Sequence, residues 1–162
     1  MLDSQHLNTF IDEHSVTAEI VPLAMETPTV PAAAAALGIS TDQIVKSILF
    51  LVNGEPLLVI ANGTARIDYK KLADYLGVSR RRIKLATAVQ VLDIAGFAVG
   101  TVPPFGHKRP FNTVVETAVY DQTTIYGGGG DMHALLRVST IELKRVVGEE
   151  TAVLRKEQEN RN

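Results

Sequence analysis

The sequence predicts a mixed α/β domain built on a largely antiparallel or mixed sheet. Helical-period stretches and strand-length apolar runs are interspersed along the chain rather than segregated. Asn53-Gly54 joins two of those runs, and this dipeptide is the strongest short hairpin signal in a sequence. The 162 residues, 46% hydrophobic and 21% charged, suit one buried core, with no linker or repeat to divide them. Residues 1–162 therefore read as a single domain.

Each element has its own justification. Leu7, Phe10, Ile11 and His14 fall at helical spacing after Asp3-Ser4, which predicts a capped first helix. Ala18 to Val21 reads as a short strand. Thr29-Val30-Pro31 supplies a cap and an early proline, Ala32 to Leu37 are strong helix formers, and Gly38 ends a second helix. The hairpin Ile44–Val52 and Pro56–Ala61 follows. Tyr69, Leu72, Ala73 and Leu76 form a helical stripe closed by Gly77. Arg82 to Leu85 reads as a strand, Thr87 to Ala95 as a short helix, and Thr113 to Asp121 and Ala134 to Val138 as late strands. Ser139 and Glu142 form a capping box for a last helix that Gly148 ends. The charged tail, about 149–162, is expected to fray.

Composition narrows the function classes. No cysteine is present, which excludes disulfides, thiolate zinc sites and a cysteine nucleophile. Histidines 6, 14, 107 and 133 show no metal-ligand spacing, so neither metal nor cofactor is expected. No apolar run approaches the roughly 18 residues of a membrane span, and Met1-Leu2-Asp3-Ser4 lacks a signal peptide's basic start, so the expected location is cytoplasmic. A net charge of −2 argues against a general nucleic-acid coat and permits a local contact.

Lys46 is the residue hardest to explain as structure. Period two places it with Ile44, Ile48, Phe50 and Val52 on one face of an apolar strand, where an unpaired ammonium is costly. It must snorkel, pair with an acid, or line a cavity that receives an anionic or carbonyl group; an edge-strand lysine that discourages aggregation is the plainer alternative. Two loops also stand out. Val99 to His107 packs two glycines and two prolines between a helix and a strand, which suits either a preformed pocket wall or a rigid corner. Gly127 to Gly130 lies between two strands, where four glycines suggest close backbone approach or a mobile hairpin. Neither loop carries a nucleotide-binding signature.

Lys46 heading an apolar strand, Asn53-Gly54, the Val99–His107 segment followed by Lys108-Arg109, Thr113 to Glu116, and Ile125-Tyr126-Gly127-Gly128-Gly129 occur in this order. In that ordered set the chain resembles the YbaK/prolyl-tRNA-synthetase-associated editing domain family, from about residue 4 to 148. The resemblance implies a curved, barrel-like mixed sheet surrounded by helices. It also implies hydrolysis, in trans, of the ester of tRNA mischarged with a small amino acid such as alanine, cysteine, serine or threonine. Under it Lys46 engages the terminal adenosine phosphate or the aminoacyl carbonyl. The loop Gly100, Thr101, Val102, Pro103, Pro104, Phe105, Gly106 approaches the aminoacyl group, and Gly127, Gly128 and Gly129 form the late glycine turn. Where several relatives have an acidic residue past that turn, this chain has Ala134, Leu135 and Leu136, with Asp131 and His133 just before, so the amino acid edited is left open.

Such esters are already activated, and the chemistry needs mainly a placed water and a stabilised oxyanion. No Ser-His-Asp order or G-x-S-x-G elbow is present. His107 and His133 are candidates for a general base or a ribose contact, with plain solvation as the alternative; Asn62 and Thr64 are weaker pocket candidates. Arg66, Lys70, Lys71, Arg80 to Arg82, Lys84, Lys108 and Arg109 offer a phosphate-binding rim for tRNA, or an ordinary solvated surface. A non-catalytic module binding tRNA or a synthetase, and a hydrolase of another small acyl ester, are the competing readings.

Overall fold

The computed structural model describes residues 1–24 and 29–157. Helix α1 (Ser4–Glu13) starts where the Asp3 carboxylate accepts the Gln5 and His6 amides, and strand β1 (Ala18–Pro22) follows. Thr29 caps α2 (Val30–Leu37), which ends on left-handed Gly38. Strands β2 (Val45–Val52) and β3 (Glu55–Asn62) form the expected hairpin. Asn53 at φ +50° and Gly54 at φ +81° give the paired positive φ values that a two-residue turn of this hand requires. Asp68 caps α3 (Tyr69–Leu76); β4 (Ile83–Leu85) and the Thr87-capped α4 (Ala88–Ala95) come next. Strands β5 (Asn112–Glu116), β6 (Thr124–Gly128) and β7 (Ala134–Ser139), helix α5 (Thr140–Val147) and strand β8 (Thr151–Ala152) complete the chain.

Two sheets result. One is antiparallel in the order β1-β7-β6; the other is mixed in the order β4-β2-β3-β5-β8, with β3/β5 and β5/β8 parallel. Among the described residues a single parallel bridge, between Ile44 and Tyr126, joins them. The architecture is the expected α/β one, although the curvature does not close into a barrel. Strand β3 runs down the middle and is buried on both faces, so Leu57 to Ala61 read as a continuous apolar run. On one face Leu49, Leu58, Ile60 and Val115 pack with Leu7, Phe97 and Leu136; on the other Phe50, Val59 and Val114 pack with Leu72, Ile83 and Leu154.

Four expectations need correction. Thr113 to Asp121 is not one strand: β5 stops at Glu116, and Thr117–Asp121 forms a 3-10 turn. The cause is the buried Glu116 carboxylate, which accepts the Ala118 amide on one oxygen and the Leu154 amide on the other. Gly127 and Gly128 lie inside β6, not in a turn. Glu142 does not complete a capping box. Its carboxylate instead accepts from the Thr17 amide and from Arg145, whose guanidinium foremost, aided by Thr17, holds it down at about 2. The tail does not fray at Glu149: β8 pairs with β5, Leu154 is fully buried, and the Asp68 amide bonds the Leu154 carbonyl. Residues 158–162 lie outside the described residues. No helix among the described residues is long and apolar enough to cross a membrane.

Candidate functional site

Lys46 sits opposite Ala61 on the face it shares with Ile48 and Phe50. Its ammonium donates to the Ala65 carbonyl at 2.6 Å and pairs with no carboxylate among the described residues. That carbonyl is held in place by the turn after β3, where the Gly63 amide bonds the Ile44 carbonyl, the Ala65 amide bonds the Asn62 carbonyl, and the Asn62 side chain ties to Asp42. Asn62 is thus a brace for the lysine's anchor. Burial, and secondly the charge of Arg66, lower the Lys46 pKa. One carbonyl satisfies one of three ammonium protons, so the group keeps donor capacity, and among the described residues no carboxylate compensates its charge.

Beside it opens a cavity of about 420 Å³. Its position follows from strand register. The tight hairpin makes Val52 and Glu55 a bonded pair, so Lys46, Ile48 and Phe50 direct their amides and carbonyls toward β3. Val45, Ser47 and Leu49 direct theirs away. Strand β4 covers that edge only from Phe50 to Val52, with one further bond from the Ala86 amide to the Leu49 carbonyl, and Ile44 bridges to β6 at the other end. Among the described residues nothing pairs with the main chain around Ser47, so it is a free strand edge there, and the cavity lies along it. Val45, Leu49, Val91 and Val102 give it apolar walls; the exposed Leu85, Val99 and Met132 contribute to the lining as well. Among the described residues its polar side chains are Thr29, Lys46, Ser47 and Asp131. Thr29 is committed to its cap and Asp131 accepts from the Ser4 amide at 3.1 Å. The Ser47 hydroxyl is buried and meets no hydrogen-bond partner among the described residues, an arrangement that costs about 1–3 kcal/mol.

The far wall is made by two segments in near contact. A Cβ on Gly128 would lie 2.2 Å from the Val102 carbonyl oxygen, and one on Gly127 would lie 3.2 Å from the Pro104 ring. The bare strand lets the proline loop lie flat on β6, and the Gly130 amide bonds the Thr101 carbonyl at 3.0 Å to pin it. Gly128→Ala is expected to displace the loop, because backbone has to yield, and to lower the melting temperature by at least about 4 °C. Gly100→Ala, at φ +88° with open space around it, should cost only about 1–2 kcal/mol of backbone strain. Equal melting curves for wild type and Gly128→Ala would contradict this packing.

Of the residues expected in the site, Lys46, Gly100, Val102, Gly127 and Gly128 line the cavity. The others lie behind or beside it. Thr101 is buried with its hydroxyl on the Ala98 carbonyl, and Pro104 packs on Gly127. Phe105 stacks on Phe10, and Gly106 adjoins Leu7 and Phe10. Gly129 abuts the Ala134 backbone. His133 is exposed on the β6–β7 turn, where its carbonyl accepts the Leu23 amide. His107 is a strut. Its Nε2 donates to the Pro103 carbonyl at 2.7 Å, and its ring stacks on Phe111 and meets Phe97 edge-on.

Burial lowers the His107 pKa from 6.5 to about 4, against the smaller opposing effect of the Pro103 bond. The ring is neutral at pH 7 and accepts a proton more readily unfolded than folded. The resulting stability is present above pH 6.5 and lost as pH falls through the window toward 4. Between pH 7 and pH 5 the denaturation free energy should drop by about 2 kcal/mol, and the drop should shrink in His107→Phe. Urea melts at the two pH values check this; a wild type equally stable at both would contradict it.

The basic residues divide. Lys71 bonds the Arg155 carbonyl, Arg80 lies over the Tyr69 ring and Lys108 reaches the Asp93 carbonyl, whereas Arg66, Lys70, Arg81, Arg82, Lys84 and Arg109 are exposed without such ties among the described residues. Sequence reading passed over Ser47. Its signal was a hydroxyl interrupting an apolar strand beside the lysine. Among the described residues no group of three or more histidines and acids is placed to hold a metal ion.

Residues 24–146 match the family profile of an aminoacyl-tRNA editing domain. Protein YwhH of Bacillus subtilis, itself uncharacterised, is 26% identical over 126 residues, covering 77% of this chain and 78% of its own. The proline–tRNA ligase of Staphylococcus aureus is 31% identical over 119 residues, covering 71% of this chain and 20% of the ligase, so the chain corresponds to about a fifth of that enzyme. A solved structure described as a candidate trans-editing enzyme for prolyl-tRNA synthetase superposes with a TM-score of 0.86 at 28% identity, covering 95% of this chain and 97% of that one. With most of its length matched by the family profile and its fold shared with that structure, the chain belongs to the aminoacyl-tRNA editing domain family.

Proposed function

We propose that this protein hydrolyses, in trans, the ester linking a small amino acid to a mischarged tRNA. The observation that carries the reading is Lys46: a partly desolvated ammonium, free of any carboxylate among the described residues, at the wall of a cavity beside an unpaired strand edge. Water adds to the ester carbonyl carbon, negative charge develops on its oxygen, and the bond to the ribose oxygen breaks as that oxygen takes a proton. Lys46 supplies charge where the oxyanion or the neighbouring phosphate sits, and strand-edge amides supply further donors. Among the described residues Ser47 has no basic partner of the kind an acyl-enzyme nucleophile needs. His107 donates from Nε2 to the Pro103 carbonyl and is not among the residues that line the cavity, so no proton transfer is assigned to it here. The exposed Arg66, Lys70, Arg81, Arg82 and Lys84 provide the charge to hold tRNA phosphates, which makes binding salt-sensitive. The relatives favour the tRNA specific for proline as the one that carries the wrong amino acid. Incubating the protein with tRNA charged with alanine, serine, threonine or proline, with and without a chelator, tests the proposal. Release of a small non-cognate amino acid, unaffected by chelator, is expected; tRNA binding with no release would identify a non-catalytic module instead.

A further inference from the structure

Resting on the deacylase reading, we propose that Ser47 sets substrate preference by exchanging a hydrogen bond with the side-chain hydroxyl of a seryl or threonyl group. Its neighbours on the same strand face, Val45, Leu49 and Leu51, are apolar and pack into the core, so a hydroxyl is out of pattern there. Three buried side-chain polar atoms have no partner among the described residues, on Ser47, Asn62 and Tyr120, and of these residues only Ser47 lines the cavity. A buried hydroxyl surrounded by apolar walls is satisfied by what enters the cavity. The entering group is neutral. A hydroxyl offers no counter-charge to an α-ammonium, and the adjacent residue in the chain is the cationic Lys46; the carboxylate of Asp131, also in the lining, is the better match for an ammonium. A small hydroxylated side chain donates to and accepts from Ser47, whereas an alanyl methyl leaves that hydroxyl unpaired. Sites that hydrogen-bond a substrate hydroxyl discriminate strongly against analogues that lack it.

Single-turnover rates for seryl-, threonyl- and alanyl-tRNA, measured on the wild type and on Ser47→Ala, read the effect. The wild type should favour seryl over alanyl at least tenfold, and Ser47→Ala should bring the ratio within about threefold through a fall in the seryl rate. No wild-type preference, or equal losses on both esters in the variant, would overturn the proposal. A second arm measures binding of the amide-linked seryl and alanyl analogues of 3′-amino-3′-deoxyadenosine. The same preference, lost in Ser47→Ala, should appear there. If it does while no ester is cleaved, the Ser47 assignment stands and the deacylase reading fails; if neither analogue binds, or both bind alike, the Ser47 assignment fails.

Discussion

Lys46→Ala lowers kcat/KM for ester hydrolysis at least about 100-fold, equivalent to about 2.7 kcal/mol of transition-state stabilisation, while the protein stays folded. The substitution removes one bond, to the Ala65 carbonyl, and with it a charge that burial disfavours. These two changes oppose each other in stability, so a large loss of fold is not expected. Lys46→Met keeps most of the stem's volume beside Ile48 and should be as inactive as the alanine variant, because charge rather than packing is what the reaction uses. Circular dichroism and melting temperature report the fold, and single-turnover release reports the chemistry. A well-folded variant with near wild-type rates would remove Lys46 from the mechanism. A variant that unfolds would make the lysine a structural brace for the turn after β3.

Phenylalanyl and tyrosyl esters are hydrolysed at least about 100-fold more slowly than alanyl or seryl ones. The cavity of about 420 Å³ has to receive the aminoacyl group together with part of the terminal nucleotide. The wall made by the proline loop and the core strand has little freedom to widen. Val102 rests on Gly128, the loop behind it is pinned by the Gly130 amide and the His107 strut, and Val45 and Leu49 belong to the main core. A rigid wall excludes bulk far more sharply than an apolar surface distinguishes one methylene, which is worth only about 1–3 kcal/mol. Pro103, Phe105 and Phe50 act at one remove, since they support the wall from behind rather than line it. Comparable rates on phenylalanyl and alanyl esters would show that the loop yields and that selection works by some other means.

What the sequence revealed was local. Asp3, Thr29 and Thr87 announce helices because a cap is a contact between near neighbours. Asn53-Gly54 fixes its own register, and with it the face of Lys46. The parallel pairings of β3 with β5 and of β5 with β8 join residues far apart in the chain, so nothing near Thr151 signals that it completes a sheet. Glu116 looked like the middle of a strand; only its burial against the Leu154 amide makes it a terminator. Glycine is a poor strand former, which concealed β6, and the reason for glycine there is the proline loop lying on its surface. The site shows the same division. Lys46 stands out as a charge in an apolar run, whereas Ser47 gains significance only from the gap between β4 and β6, and the packing of His107 against Phe97 and Phe111 is not legible from its place in the loop.

The decisive measurement is single-turnover release of amino acid from proline-specific tRNA mischarged with alanine or serine, by the full chain at neutral pH. Release well above the spontaneous rate is expected, dependent on Lys46 and indifferent to chelator. Release no faster than the spontaneous rate, in a sample that melts cooperatively and binds the same tRNA, would contradict the deacylase reading.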